Sequence, residues 1–209
     1  MSSFVLIGAV EVPPLVIEPG SDVYPAAAQM TEGDVPVTLS IDPAGPVRCA
    51  AGGGADVQSL RRASCELIVG RNVFGPSVVN GASVTATYRF TVRWRKNAEN
   101  RQFGGAVAVG RERWITYADY PPIARSQMLT GKVTLNFEIS ERGLIENCKV
   151  SRTNTGESLA GAMCPLLSSR AVFLPPVDEA GRPRRANGSF TTDWRWCESR
   201  ATCRSPDVR

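Results

Sequence analysis

The sequence predicts an α+β protein built from one small unit used twice in tandem, each running strand, turn, strand, helix and closing strand. Three observations carry that expectation. Val133, Leu135, Phe137 and Ile139 alternate with polar residues, the period that buries one face of a strand. Leu159, Ala162, Met163, Leu166 and Leu167 recur at the spacing of one helical stripe. The same signals return upstream in the same order, with cysteines at matching places.

The later unit runs from Tyr120 to Trp196. Its first strand covers Lys132 to Ile139, and Ser140-Glu141-Arg142-Gly143 reads as a hairpin turn in which Gly143 is free to take positive φ. Leu144 to Val150 returns as the second strand. Ser158 is placed to cap the helix, and Pro165 should kink it or start a new turn. Phe173-Leu174-Pro175-Pro176 ends the helical run, and Phe190, Thr192, Trp194 and Trp196 alternate along the closing strand.

The upstream unit repeats this with Val35, Val37, Leu39 and Ile41, a turn at Asp42-Pro43-Ala44-Gly45, and Asp56 as the helix cap. Its stripe is Leu60, Ala63, Ser64, Leu67 and Ile68, and its closing strand carries Val84, Ala86, Tyr88, Phe90, Val92 and Trp94. Chance similarity between two ordinary α+β segments is the competing reading, and the shared order of signals disfavours it. A period this long suggests two small domains rather than a solenoid. The expected division is an extended segment over 1–22, a first domain over 23–96, a linker over 97–117, a second domain over 118–197 and a tail over 198–209.

Cys49 and Cys65 are separated by the same interval as Cys148 and Cys164, and in each pair one residue falls on the second strand and the other on the helix. A strand packed under a helix brings such side chains within bonding distance, so the pairs Cys49–Cys65 and Cys148–Cys164 are expected as disulfides, with Cys197–Cys203 as a local third. Six buried thiols are the alternative, which the repeated spacing disfavours. A metal site is not expected, since the chain has no histidine and no close cysteine pair of the zinc type. Paired cysteines point to an oxidising compartment, the bacterial periplasm or exterior. The apolar run 4–10 is short, is interrupted by Glu11 and Pro13-Pro14, and has no basic residue before it. It makes a poor export signal and is too short to span a bilayer. A leader upstream of it is the favoured explanation, and a strand of the mature protein the other.

The net charge of +4 over 209 residues is mild. Arg93-Trp94-Arg95-Lys96 and Arg182-Pro183-Arg184-Arg185 are basic clusters of the kind that bind nucleic acid. Alternation places their arginines in water and Trp94 in the core, and so weak a field does not favour phosphate-driven binding. Leu15-Val16-Ile17 is expected to add a strand to the first domain, Pro36 to lie at an edge or bulge, and residues 24–30 to form a short helical lead-in. Residues 50–54 read as plain loop. Gln102-Phe103-Gly104-Gly105 looks like linker, while residues 106–109 and 114–116 look ordered against a neighbour.

The second unit resembles the C-terminal domain of TonB. The residues that carry the resemblance are Tyr120-Pro121, Gly131-Lys132-Val133, Gly143, Val150-Ser151-Arg152, Gly156, Leu159, Ala162, Phe173, Pro175, Pro176 and Gly181. The first unit keeps Tyr24-Pro25, Gly45, Leu60, Ala63, Phe74, Pro76 and Gly81 and looks like a diverged relative. The resemblance implies a small antiparallel sheet of about three strands per unit, with a helix on one face. It also implies a periplasmic role in TonB-dependent outer-membrane transport, in which the domain binds a protein or peptide segment, an outer-membrane receptor among the candidates. The segment would add as a strand to an exposed sheet edge, here the closing strand. Tyr120, Pro121, Arg125, Phe190, Thr192, Trp194, Arg195 and Trp196 are the candidate partner-binding residues. The membrane helix and proline-rich spacer of a complete transducer are not recognisable, so the fold carries over better than the activity.

Two other classes compete. Without histidine the chain lacks the commonest general base, bridged cysteines are not nucleophiles, and Glu138, Glu141 and Glu146 fall on wet faces or turns; Glu138 and Glu146 could meet across the hairpin. No catalytic residue and no cofactor are expected. A secreted structural or inhibitory protein without a transport role is the remaining alternative.

Overall fold

The computed structural model describes residues 14–20, 23–25, 28, 31–96, 101–196 and 207–208. Cys197 and Cys203 lie outside them, as does most of the lead-in at 24–30. Strand β1 (Leu15–Ile17) precedes a hairpin of β2 (Gly33–Ile41) and β3 (Arg48–Ala51), helix α1 (Gln58–Val69), a small hairpin of β4 (Ser77–Val79) and β5 (Ala82–Val84), and β6 (Ala86–Trp94). Strand β7 (Val107–Val109) and helix α2 (Pro122–Ser126) follow. Then come β8 (Gly131–Ile139), β9 (Ile145–Thr153), α3 (Glu157–Arg170), β10 (Val172–Leu174), β11 (Ala186–Trp194) and β12 (Asp207–Val208). The result is a mixed α/β fold with small sheets and few helices.

Period-2 patterning sets both meanders. On β8, Val133, Leu135, Phe137 and Ile139 are buried while Lys132 and Asn136 are exposed. β8 lies between β9 and β11, pairing antiparallel with both. β2 likewise lies between β3 and β6. Leu159, Met163 and Leu167 of α3 are fully buried and close the core of the second meander; Leu60 and Ile68 of α1 do so in the first. The α3 helix begins at Glu157 after Gly156, and α1 after a 3-10 turn at Ala55–Val57. Neither Ser158 nor Asp56 therefore caps as the sequence suggested. Pro165 stays inside α3. It is exposed, as is Gly161, so water can serve the Gly161 carbonyl that loses its helical donor. Pro36 sits one residue past the last β2–β3 pair, Val37↔Ala51, where its missing N–H costs no ladder bond.

Both described cysteine pairs are bridged, Cys49–Cys65 and Cys148–Cys164, each across 16 residues from second strand to helix. The register of β9 shifts between Asn136 and Glu138 of β8, and Asn147 there takes φ of 52°. One extra residue in the strand lets Ile145 and Cys148 face the same side, which aims Cys148 at α3. Gly143 closes the β8–β9 turn at φ of +75°, and a Cβ there would stand 1.9 Å from the Phe173 carbonyl oxygen. The tight approach lets Phe173 N–H donate to the Gly143 carbonyl (2.9 Å).

The sheets depart from two isolated antiparallel meanders. One has six strands in the order β10-β7-β1-β6-β2-β3; the other has four, β12-β11-β8-β9. β1 runs parallel to β6, with Leu15↔Phe90 and Ile17↔Val92 in register. β7 lies between β1 and β10, both antiparallel to it. The larger sheet therefore starts in the first meander and ends on a strand that follows α3. The reason lies in residues 101–117. Phe103, Ala106, Trp114 and Ile115 are buried, and Phe103 packs 5.1 Å from Phe173 and 6.2 Å from Trp114. The stretch that read as linker around Phe103 is thus an aromatic inlay in the core of the second unit. Arg71 also donates to the Pro175 carbonyl across the junction.

At the entry to α2, Thr116 and Asp119 form a reciprocal cap, and Arg170 at the end of α3 grips both Asp119 oxygens at 2.7 Å. That guanidinium, then the Thr116 donors, hold the Asp119 carboxyl below its ordinary range.

Replacing Cys148 and Cys164 together by serine should lower stability by about 3 kcal/mol for a loop of this size, read as the shift in urea unfolding of the oxidised protein. Asp119 has a depressed folded pKa, so its stabilisation is present above the unfolded carboxyl value of about 4 and is lost as pH falls through the lower folded value. Arg170 is partly solvated, which limits the effect to about 1 kcal/mol. Asp119→Asn should therefore destabilise at neutral pH, and the gap from the parent should narrow below pH ~4, measured by thermal melts across pH.

Candidate functional site

The closing strand of the second unit, β11, is the element on which the sequence-derived candidates converge. Its inner side pairs with β8 along nine register positions, Ala186↔Ile139 through Trp194↔Gly131. Among the described residues, its outer side pairs only at Thr192 and Asp193, with β12. The start of this outer edge is crowded. A Cβ on Gly104, at φ of +59°, would stand 2.9 Å from the Asn187 carbonyl oxygen. The backbone from Gly188 to Thr191 lies between those two neighbours.

The candidate side chains separate into two groups. Phe190, Thr192 and Trp194 are buried at 1%, 0% and 1% exposure, so a partner would meet their backbone and not their side chains. Tyr120 is also buried, 5.3 Å from the Trp194 ring, and its hydroxyl donates to the Leu129 carbonyl. Burial and the neighbouring Tyr117 raise the pKa of that phenol. Pro121 is half-buried, while Arg125, Arg195 and Trp196 are exposed. The Arg125 guanidinium lies 5.2 Å from the Tyr117 ring and 5.9 Å from that of Tyr120, a cation–π placement on the rim of the core. Arg195 lies 3.6 Å from Asp193. Ile123 and Met128, at 62% and 60% exposure, flank Arg125 in sequence and add apolar surface that sequence reasoning missed; only their misfit with the helical stripe could have revealed them.

The first unit has a similar tyrosine–tryptophan pair and differs in two respects. Tyr24 packs edge-on to Trp94 at 5.1 Å and donates to the Thr31 carbonyl, as Tyr120 does beside Trp194. Trp94 Nε1–H donates to Ser64 Oγ (2.9 Å). Met163 occupies the corresponding stripe position in α3, and Trp194 Nε1 is buried without an acceptor. The outer edge of β6 is filled by β1, and β1 is locked in turn by Gly110 N–H donating to the Val16 carbonyl (2.7 Å).

The polar face of the second sheet holds the carboxylates that the hairpin brings together. Glu138 and Glu146 are register partners, and Arg185 donates to both, to Glu138 at 2.9 Å. Arg185, then Asn147, lower the Glu138 pKa, so this carboxylate holds no proton to give at neutral pH. A cavity of about 560 Å³ above it is lined by Asn136, Lys149, Asn187 and Ser189 among others. The basic clusters are compensated. Arg93 pairs with Glu18 at 3.0 Å, Arg95 with Asp34 at 2.7 Å, and Arg182 with Asp178 at 2.9 Å. Among the described residues no group of three or more potential metal ligands occurs, and no helix is long and apolar enough to cross a membrane.

Comparison with protein families matches residues 116–196 to the family described as Gram-negative bacterial TonB protein C-terminal. No curated protein and no solved structure matches the chain. The matched stretch begins at the Thr116–Asp119 cap and ends with the closing strand, so it takes in α2, the β8–β9 hairpin, α3 and β11. Residues 116–196, fewer than half of the chain, are therefore similar to the C-terminal domain of the Gram-negative bacterial TonB protein.

Proposed function

We propose that this protein works in the periplasm as a non-catalytic receptor for extended protein segments, which add as a strand to the outer edge of β11 in TonB-dependent outer-membrane transport. The observation that carries the reading is the contrast between the two sides of β11. Nine register pairs hold its inner side, and two described pairs occupy its outer side. Unpaired backbone donors and acceptors on a strand edge are a template for another strand, and affinity then comes from main-chain hydrogen bonds. Because Phe190, Thr192 and Trp194 point into the core, selectivity falls to groups at the two ends of the strand. Arg125 and Pro121 lie beside Tyr120, and Arg195 and Trp196 continue from β11.

The first unit is proposed as a diverged copy of the same domain that has kept the packing and given up the edge. Its tyrosine–tryptophan pair and its bridge from second strand to helix match those of the second unit. Its closing strand β6 already has β1 as a permanent neighbour. One chain would then hold one segment, in the second unit. Two disulfides fit the oxidising compartment that this role requires.

Strand addition makes a prediction that pocket binding does not. Synthetic peptides from the periplasmic N-terminal segments of outer-membrane receptors should bind with one-to-one stoichiometry in calorimetry. Methylating alternate backbone nitrogens of a binding peptide should abolish binding in one phase and spare it in the other, since only every second residue faces the edge. Equal tolerance of both phases, or two sites per chain, contradicts the proposal.

A further inference from the structure

Resting on that reading of the β11 edge, we propose that Arg111 is its specificity residue: the guanidinium receives the carboxylate of a glutamate or aspartate that the incoming segment carries opposite Phe190. Arg111 opens the 3-10 turn Arg111–Arg113 that follows β7. Its guanidinium carbon lies 5.4 Å from the centre of the Phe103 ring and 5.7 Å from that of Phe190. Phe190 belongs to the stretch from Gly188 to Thr191, where the outer side of β11 has no strand beside it among the described residues. Within that stretch Gly188 and Phe190 face the core. Residues directly opposite each other in a strand pair share a face. A side chain opposite Phe190 in an added strand therefore projects to the side on which the guanidinium lies.

The charge on Arg111 lacks a close partner. Its Nε and Nη2 are buried with no hydrogen-bond acceptor. Glu18 acts on it only from a distance and is itself paired with Arg93 at 3.0 Å. Burial lowers the pKa of the group, and Glu18 offsets that only in part; an arginine nonetheless keeps its charge. A buried charge without a partner is costly, and an incoming carboxylate removes that cost. Nε and Nη2 are also the two donors of the side-on fork that takes a carboxylate bidentately. Ring faces hold the guanidinium, so it turns toward a carboxylate without giving up a hydrogen bond from either nitrogen. The first unit already contains such a pairing. There β1 fills the outer side of β6, and Glu18, the residue after β1, brings a carboxylate to Arg93 of β6. At the open edge of the second unit the arginine is in place and the acid is left to the incoming strand.

Two end-blocked synthetic peptides test this: acetyl-Lys-Val-Thr-Glu-Thr-Val-Lys-amide, and the same peptide with glutamine in place of glutamate. Each is titrated by calorimetry into the parent chain, Arg111→Met and Arg111→Lys, with thermal melts to check the fold of each variant. Methionine keeps an apolar stem against the two rings and removes the fork. The glutamate peptide should bind the parent about tenfold more tightly than the glutamine peptide. Arg111→Met should erase that preference, and Arg111→Lys should keep part of it. A second readout needs no substitution: the Nε–Hε resonance of Arg111 in the parent should shift with the glutamate peptide and stay in place with the glutamine peptide. Equal binding of the two peptides by the parent, a preference that survives Arg111→Met, or an Arg111 resonance that ignores the glutamate peptide overturns the proposal and leaves the reading of the edge standing. A parent chain that binds neither peptide overturns both.

Discussion

Two three-residue strands hold this molecule together by serving two cores at once. Along β7, Val107 and Val109 pack into the core of the first unit while Ala108, with Ala106 just before the strand, packs into that of the second. Along β10, Leu174 joins the first core and Phe173 the second. Successive residues of a strand face opposite sides, so a strand with apolar residues at every position can only be buried on both. That single constraint turns the segment between the units into structure, joins β10 to the sheet of the first unit, and places Phe103 and Trp114 against Phe173. It also leaves Gly104 against β11, which sets where the open edge begins.

The internal tie joins two units that share a packing scheme. Each has a helix bridged to its second strand and a tyrosine against its last tryptophan. They differ where the chain's own segments meet the closing strand. In the first unit the sheet continues through β1, β7 and β10, so β6 is an interior strand. In the second, β11 lies near the margin of a smaller sheet. The surroundings of the arginines differ as well. Arg93 on the closing strand of the first unit pairs with Glu18 and Asp34, and Arg95 just beyond it pairs with Asp34, whereas Arg125 lies against the rings of Tyr117 and Tyr120.

Most of this was readable in the sequence wherever the physics is local. Alternation gave β2, β6, β8 and β11, helical spacing gave the stripes of α1 and α3, and equal cysteine intervals gave both described bridges. The family resemblance rested on residues 120–181 and is supported by the match over 116–196. What sequence reading missed is long-range. Phe103 sits beside Gln102 and two glycines, a linker composition, and only its partners Trp114 and Phe173 make it core. Parallel pairing of β1 with β6 joins residues about 75 apart, which no local pattern encodes. The candidate site was half legible. The strand was identified, but the alternation that identified it also buries Phe190, Thr192 and Trp194, so the side chains it singled out are core residues.

If β7 and β10 bind two cores into one folding unit, the halves cannot unfold separately. Equilibrium urea unfolding of the oxidised protein, followed by backbone NMR at Val37 in the first unit and Leu135 in the second, tests this directly. Coincident midpoints and slopes for the two residues are the expected result. Two separated transitions, with one unit retaining its native resonances while the other has lost them, would contradict it.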